Sequence, residues 1–445
     1  MPLCKVEIFC YIGAFKIDKI YSMTRKVLHL MGSLNTGGAE NLVLDMLTYN
    51  NSLPQNKKID FYLVYSVESE QERVALFNNL FSNDRLYFIK GGKGLKNTLG
   101  FILKLRNFLK KHRIEQIHCH NNVDAYWAAV AIAPIEPAPT IMLTVHGLNL
   151  NFNYIANKVK SSKIMPLFFK LFAGGRIADS EFLDSMRLTF VSGATKQFYI
   201  EQFASRNSDL QKEQDRQLQQ IFTKGDVITN GILPQKLLSA KPYDNLLKTL
   251  GINCTEKRPF LMGMVGNFNT NARLQLMICK SLSLLPDKIS FRFVFVGKKS
   301  PAHPEYYDDC VNYCKENGLG EKVIFAGQRS DVPQILKSLD CYVYGSAADT
   351  FGLSVIEAVI SGLPVICSDI PALREVLLNG SLGTLVNNTP DAFAYTIKRE
   401  YNRLAKDGCA NESCNIGQLT CEAVDKQELA LMHYSIDTTF SNYYL

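Results

Sequence analysis

Asp349 and Glu357 stand eight residues apart in the stretch DTFGLSVIEAVISGLPVICSD, on either side of a Phe-Gly turn and the start of an apolar run. A helix opening at Leu353 leaves its first N–H groups, at Gly352, Leu353 and Ser354, without partners inside the helix. Such a mouth favours an anion, phosphate in particular. Glu357 lies one turn in. A carboxylate there suits the helix dipole as a plain surface acid, and it suits equally the gripping of paired sugar hydroxyls. The phosphate-type mouth beside it favours the second use. Asp349, in the loop before the turn, would face whatever lies beyond the phosphate.

The pair Gly37-Gly38 sits between a strand pattern at 26–32 and a helix pattern carried by Ala39, Leu42, Val43, Met46 and Leu47. Glycine lets the backbone approach a phosphate or sugar closely. Many βα turns look alike, however, and the pair lacks the G-x-G-x-x-G spacing of a dinucleotide site. His146 ends a strand pattern at 140–146, and His120, Asn121 and Asn122 end another at 116–120. A lone histidine is more often a satisfied core group than a ligand contact, and a place at a strand's carboxyl end brings the two readings level. His146 is thus a candidate for contact with a reacting group, and the other three for contact with an acceptor.

These side chains need a frame to hold them. Strand patterns recur at 26–32, 59–66, 85–89, 116–120, 140–146, 189–192 and 226–229, with helical patterns between them, among them a basic amphipathic one at 99–112. A second alternation begins near Phe260, with strands at 261–266, 291–297, 322–327, 341–346 and 363–367 and helices at 273–285, 306–317, 332–339 and 353–360. Strands alternating with helices argue a parallel sheet with right-handed crossovers, once per half. The expected fold class is α/β, two doubly wound Rossmann-like domains facing a central cleft, where such folds bind ligands. The expected divisions are an extension at 1–22, a first domain at 23–240, a second at 241–425, and a helix at 426–445 returning to the first domain. The polar stretch 204–220 is expected to be a solvent-exposed helix or loop with no chemistry of its own.

A chain of 445 residues is too long for one core. Hydrophobic content of 47% with 20% charged residues is that of a globular protein. The net charge of +7 fits either a solvated surface or an anionic partner, but no basic cluster interleaved with aromatics matches a nucleic-acid reading module. Twelve cysteines occur without a CxxC pair, so buried thiols in a reducing cytosol fit better than a zinc or disulfide framework. No apolar run reaches the roughly 18 residues that span a bilayer. The segment at 157–172, NKVKSSKIMPLFFKLF, reads first as a core helix with solvated lysines broken by Pro166, and second as an interfacial patch touching a membrane.

Taken in order, DTFGLSVIE followed by SGLPVI, GQRSDV before it (327–332) and ALREV after it (372–376) resemble the E-x7-E region of retaining glycosyltransferases of family 4, which have the GT-B fold. VGNF (265–268), TNGI (229–232) and GGAE (37–40) extend the resemblance from about Lys26 to Val386. It implies transfer of a sugar from a nucleotide-sugar donor to a hydroxyl of a glycan or lipid-linked acceptor, with the first domain on the acceptor side and the second on the donor side. Most members need no metal, and no cofactor is implied. Carried over by position, Glu357 holds the donor ribose and Asp349, in place of the usual glutamate, touches the donor sugar, one methylene short. His146 lies near the transferred sugar. The arginine and lysine that clamp the diphosphate in the family fall on Asn267 and Ala272, which leaves Arg273 as the candidate cation and Asn267 as a hydrogen-bond donor. The resemblance implies bacterial polysaccharide assembly in the cytoplasm, at the inner face of the plasma membrane where the acceptor is lipid-linked. Another GT-B enzyme (an epimerase or phosphorylase) and a non-catalytic partner subunit stay open as alternatives.

Overall fold

The computed structural model describes residues 25–81, 84–91, 95–149, 154, 178–204, 212–252, 258–268, 272–301, 303–406 and 421–445. The expected extension at 1–22 and the lysine-bearing stretch at 157–172 lie outside the described residues. Runs such as KVLHLM and FLMGMV are buried almost throughout, as strands covered on both faces must be. They form two all-parallel sheets. The first joins β1 (Lys26–Met31), β2 (Asp60–Tyr65), β3 (Leu86–Phe88), β4 (Gln116–Cys119), β5 (Thr140–Val145), β6 (Arg187–Phe190) and β7 (Asp226–Val227) in the order β3-β2-β1-β4-β5-β6-β7. The second joins β8 (Phe260–Val265), β9 (Phe291–Val296), β10 (Val323–Phe325), β11 (Cys341–Tyr344), β12 (Val365–Ser368) and β13 (Thr384–Val386) in the order β10-β9-β8-β11-β12-β13. In each sheet the strand order reverses once, between β1 and β4 and between β8 and β11. Ligands of doubly wound folds sit beyond the carboxyl ends of the strands at such a reversal.

The first sheet carries an apolar core on each face, and the second is wrapped in one continuous core. Two stretches cross between the domains side by side: Ile232 N–H donates to the Tyr434 carbonyl at 2.8 Å, and Ile436 N–H donates to the Ile232 carbonyl at 3.0 Å. They touch so closely that a Cβ on Gly231 would lie 2.7 Å from Ile436 Cα, so only glycine fits. Beyond this crossing the helix Ile436–Tyr444 packs on the first sheet, burying Phe440, Tyr443 and Tyr444.

The polar stretch at 204–220 is helical from 212, with Arg216, Gln217 and Gln220 exposed as expected and Leu218 turned inward together with Ile221 and Phe222 beyond it. The helix Lys212–Lys224 buries Leu218, Ile221 and Phe222, with the Phe222 ring 5.3 Å from Phe190. Three apolar residues at i, i+3 and i+4 suffice to make one buried stripe in a polar sequence. Among the described residues Cys119, Cys279, Cys310, Cys314, Cys341 and Cys367 are free, buried thiols. No helix among them is long and apolar enough to cross a membrane.

Candidate functional site

The two strand-order reversals face one another. From the first sheet come Gly37-Gly38 after β1, His120 and Asn121 after β4, and His146 after β5; from the second come Gly266-Asn267 after β8 and residues 345–354 after β11. Several bonds cross the gap. Thr350 Oγ1 donates to the His146 carbonyl at 2.8 Å, and the Thr350 carbonyl accepts from Ser192 Oγ at 2.6 Å and Thr195 Oγ1 at 3.1 Å. Gln328 Nε2 donates to Thr36 Oγ1 at 3.0 Å, and Lys298 Nζ lies 3.4 Å from Glu70. Glu375 of the second domain accepts from the N–H groups of Gly193 and Ala194, at 2.8 and 2.7 Å, and so fills the mouth of the helix Gly193–Ala204 in the first.

The helix Leu353–Ile360 opens as its sequence requires. Gly352 caps it at φ 84, in the left-handed region, where a side chain would be strained and would meet Leu373. The N–H groups at 352–354 stand at the mouth, while Ser354 Oγ donates to the Val265 carbonyl at 3.2 Å. Across from this mouth, a Cβ on Gly38 would lie 3.4 Å from Leu353 Cδ1, so the glycine pair of the first domain abuts the helix of the second. Gly37 is the extended N-cap of the helix Gly38–Ser52, and a Cβ there would strike the carboxylate of Glu40. Glu357 is half-buried one turn in; burial first, then the neighbouring Asp45 charge, pushes its pKa up to about 7, against the pull of Lys236.

Asp349 and Arg273 are brought together, but onto each other. They form a short ion pair, the Asp349 side chain 7% and the Arg273 side chain 26% exposed. Tyr344 hydroxyl donates to the same Asp349 oxygen at 2.8 Å, and Thr350 N–H donates to the other at 2.8 Å. Burial alone would raise the Asp349 pKa; Arg273, Tyr344 and the Thr350 N–H outweigh it and hold the carboxylate below its ordinary range. The Arg273 guanidinium also donates to Ser346 Oγ at 3.0 Å and stands 5.2 Å over the Tyr344 ring. Burial would lower its pKa, and the surrounding Tyr344 and Asp349 raise it above the usual arginine range. Asn267 is engaged in holding the loop, its Oδ1 accepting Lys298 N–H at 3.0 Å. That ties the backbone of Lys298, which no sequence motif singles out, to the loop after β8.

Below His146 lies a row of buried imidazoles. His146 Nε2 is 3.0 Å from His120 Nδ1, His120 Nε2 is 2.9 Å from His29 Nδ1, and His29 Nε2 is 3.2 Å from the Tyr444 hydroxyl. That hydroxyl is 2.6 Å from His118 Nδ1, and His118 Nε2 is 2.7 Å from Thr144 Oγ1. Burial depresses every one of these histidines, His29 to about 3 and His146 to about 4, so all four are neutral. His29, His118 and His120 each bring a ring nitrogen within 4.8 Å of the others, close enough for a metal, yet both nitrogens of each are bonded within the row. His120 thus touches His146 with both ring nitrogens committed. Asn121 caps the helix Asn122–Ile132, accepting Asp124 N–H at 2.8 Å, and Asn122 is buried in its first turn. Of the three expected acceptor contacts, His120 has both ring nitrogens in the row and Asn121 serves the helix cap and Asp124, while Asn122 is buried in the first turn. His29 and His118 are legible in the sequence only as polar residues inside otherwise apolar strands.

Two Rossmann-like domains with a cleft at facing strand-order reversals define a GT-B glycosyltransferase fold. The family model for Glycosyltransferase Family 4 matches residues 36–209, and that for Glycosyl transferases group 1 matches 259–403. The chain belongs to this family of glycosyltransferases and is an enzyme that transfers sugars. The UDP-Gal:alpha-D-GlcNAc-diphosphoundecaprenol alpha-1,3-galactosyltransferase of Escherichia coli is 26% identical over 336 residues, 73% of this chain and 77% of that one. The lipopolysaccharide core biosynthesis mannosyltransferase LpsB of Rhizobium meliloti is 24% identical over 155 residues, so the chain spans only 43% of that relative's length. Among solved structures, Anabaena HepE in complex with UDP and glucose superposes with a TM-score of 0.67 at 17% identity, over 94% of this chain and 98% of that one, a likeness of fold.

Proposed function

We propose that the protein moves a sugar from a nucleoside-diphosphate sugar to a hydroxyl of a glycan or lipid-linked acceptor, with retention at the anomeric carbon, in polysaccharide or lipopolysaccharide-type assembly. One observation carries the reading: the helix mouth at 352–354 opens against Gly38, with Glu357 one turn in. A diphosphate at that mouth meets N–H dipoles, and Arg273 and Lys298 stand on the same side of the cleft. Glu357 is spaced to hold the ribose. Both oxygens of Asp349 are occupied by Arg273, Tyr344 and Thr350, which suits a carboxylate that orients Arg273 and not one that attacks carbon. The transfer is then front-face: the bond from the anomeric carbon to the diphosphate breaks, the bond to the acceptor oxygen forms on the same side, and the departing phosphate oxygen takes the acceptor's proton. His146 meets a sugar hydroxyl beside this centre.

The acceptor end is served by a cavity of about 390 Å³ in the first domain, walled by Phe88, Phe101, Trp127 and Tyr154, with Lys90 and Asp124 at its polar edge. Aromatic faces suit sugar rings and lipid alike. Burial pushes Asp124 up to about 6, poised to accept from a hydroxyl. In this reading the enzyme works in the cytoplasm, touching the inner membrane face when its acceptor is lipid-linked, and needs no metal. The test is release of UDP from UDP-galactose or UDP-glucose with and without a diphospholipid-linked glycan, in the presence of a chelator. Release only with acceptor is expected; sugar epimerised without acceptor, or release that needs a metal, would overturn the reading.

A further inference from the structure

Sugar transfer as proposed gives a role to His146 and none to the buried polar residues behind it. Four histidines, a tyrosine from the far end of the chain and two threonines are tied into a single row. We propose that Tyr444 is a positioning residue for His146, fixing through His29 and His120 which nitrogen of His146 carries the proton at the cleft. The inference rests on the glycosyltransferase reading for its consequence and on the row itself for its mechanism.

A neutral imidazole has one N–H and one bare nitrogen, and a hydroxyl has one proton; each member of such a row therefore donates to one neighbour and accepts from the other. The row must be polarised head to tail. Thr144 Oγ1 is 2.7 Å from Thr189 Oγ1, and Thr189 Oγ1 reaches the Leu143 carbonyl at 3.5 Å, a group that only accepts. With every proton directed away from the cleft, Thr144 gives its one proton to Thr189 at 2.7 Å in preference to the Tyr443 hydroxyl at 3.4 Å, the last hydroxyl ends on that carbonyl, and all members of the row are satisfied. With every proton directed toward the cleft, the carbonyl loses this donor. The geometry therefore assigns Nε2–H to His146, donating to His120, and leaves Nδ1 bare for a ligand hydroxyl. Stacking holds the rings in line, with His118 and His120 centroids 4.3 Å apart and His120 and His146 5.3 Å apart.

Tyr444 is the link that commits the row. In that polarity its hydroxyl accepts from His29 and donates to His118, and in either polarity it couples β1 to β4, whose His29 and His118 are paired in register. It sits on the helix Ile436–Tyr444, held by the interdomain crossing at Ile232. In Tyr444→Phe the ring still packs on Phe61 and Phe440, but His29 Nε2 has no partner and nothing selects the polarity.

The experiment uses the full chain with its histidine ring nitrogens labelled with nitrogen-15, resonances assigned with His146→Gln, and needs no substrate for its first arm. The wild type is expected to show His146 as a single neutral Nε2–H tautomer, and Tyr444→Phe a mixture. Tyr434→Phe removes a comparably buried hydroxyl outside the row, one that donates to the Val376 carbonyl at 3.0 Å, and is expected to leave the His146 signals unchanged. In transfer assays Tyr444→Phe is expected to lower kcat about tenfold with KM for the donor within twofold, and Tyr434→Phe to change neither. A wild-type His146 that carries its proton on Nδ1, is charged, or shows metal-shifted nitrogens overturns the proposal without any variant. So does a folded Tyr444→Phe with unchanged tautomer. Absence of transfer by the wild type with any donor would sink the functional reading while the nuclear resonance arm still judges the row.

Discussion

On the second-domain side of the cleft, Arg273 and Asp349 are both charged and lean on one another; on the first-domain side, four imidazoles are all neutral and lean on a tyrosine. The difference lies in what each buried group finds nearby. A charge removed from water survives if an opposite charge and well-aligned hydrogen bonds replace the water, as Tyr344, Ser346 and the Thr350 N–H do around the pair. Histidines with other histidines, hydroxyls, apolar strands and, for His118, the Arg187 charge around them shed the proton instead. Even within one motif the rule holds, since Asp349 beside Arg273 is depressed while Glu357 beside Asp45 is raised to about 7.

The hardest blow to this contrast is Arg273→Ala, which strands a buried carboxylate. Loss of one partner of a buried pair costs about 3–5 kcal/mol, so urea unfolding should shift by that order and donor turnover should fall at least tenfold. Unchanged unfolding would mean that the pair is solvated. Because the Asp349 pKa is depressed, its share of stability is present above the ordinary carboxylate range and lost as pH falls through the lowered value.

Glu357 carries the opposite sign. Its raised pKa means that its share of stability is full below about 4.5 and lost as pH rises through about 7. Glu357→Gln is therefore expected to stabilise the fold at pH 8 by roughly 1–3 kcal/mol and to leave it unchanged at pH 4. The same variant should weaken UDP binding about tenfold at pH 8, about 1.4 kcal/mol, and flatten the rise in wild-type affinity between pH 6 and pH 8, read by calorimetry.

Smaller still, Glu375→Gln removes a charge from the helix mouth at Gly193 that bridges the domains, and a loss of about 0.5–1 kcal/mol of the closed form is expected, visible as a larger radius in solution scattering. A scattering curve identical to wild type would show that closure does not rest on this contact. Lys298→Ala is the sharpest discriminator at the small end. Its exposed pair with Glu70 contributes at most about 1 kcal/mol to stability, so any larger fall in UDP affinity than in stability would mark Lys298 as the second cation at the diphosphate, in place of the lysine replaced by Ala272.

Much of this is legible in the residues. The alternation of short apolar runs with 3.6-period stripes specifies two parallel sheets, and a turn glycine ahead of LSVIE places the helix mouth and Glu357. The pairing of Asp349 with Arg273 is not legible, because 76 residues separate them and either one alone reads as a ligand group. The histidine row is half written: His118 and His120 alternate in β4 and therefore point to one face, but their use depends on strand register and on a helix 326 residues away.

Local rules of the chain thus determined by themselves where strands, helices and glycine turns fall, since period, capping and conformational freedom act over a few residues. Tertiary structure alone decided which buried polar groups stay charged and which stay neutral. That outcome depends on the company each group keeps after folding, and the partners come from strands, loops and a returning helix that the sequence holds far apart.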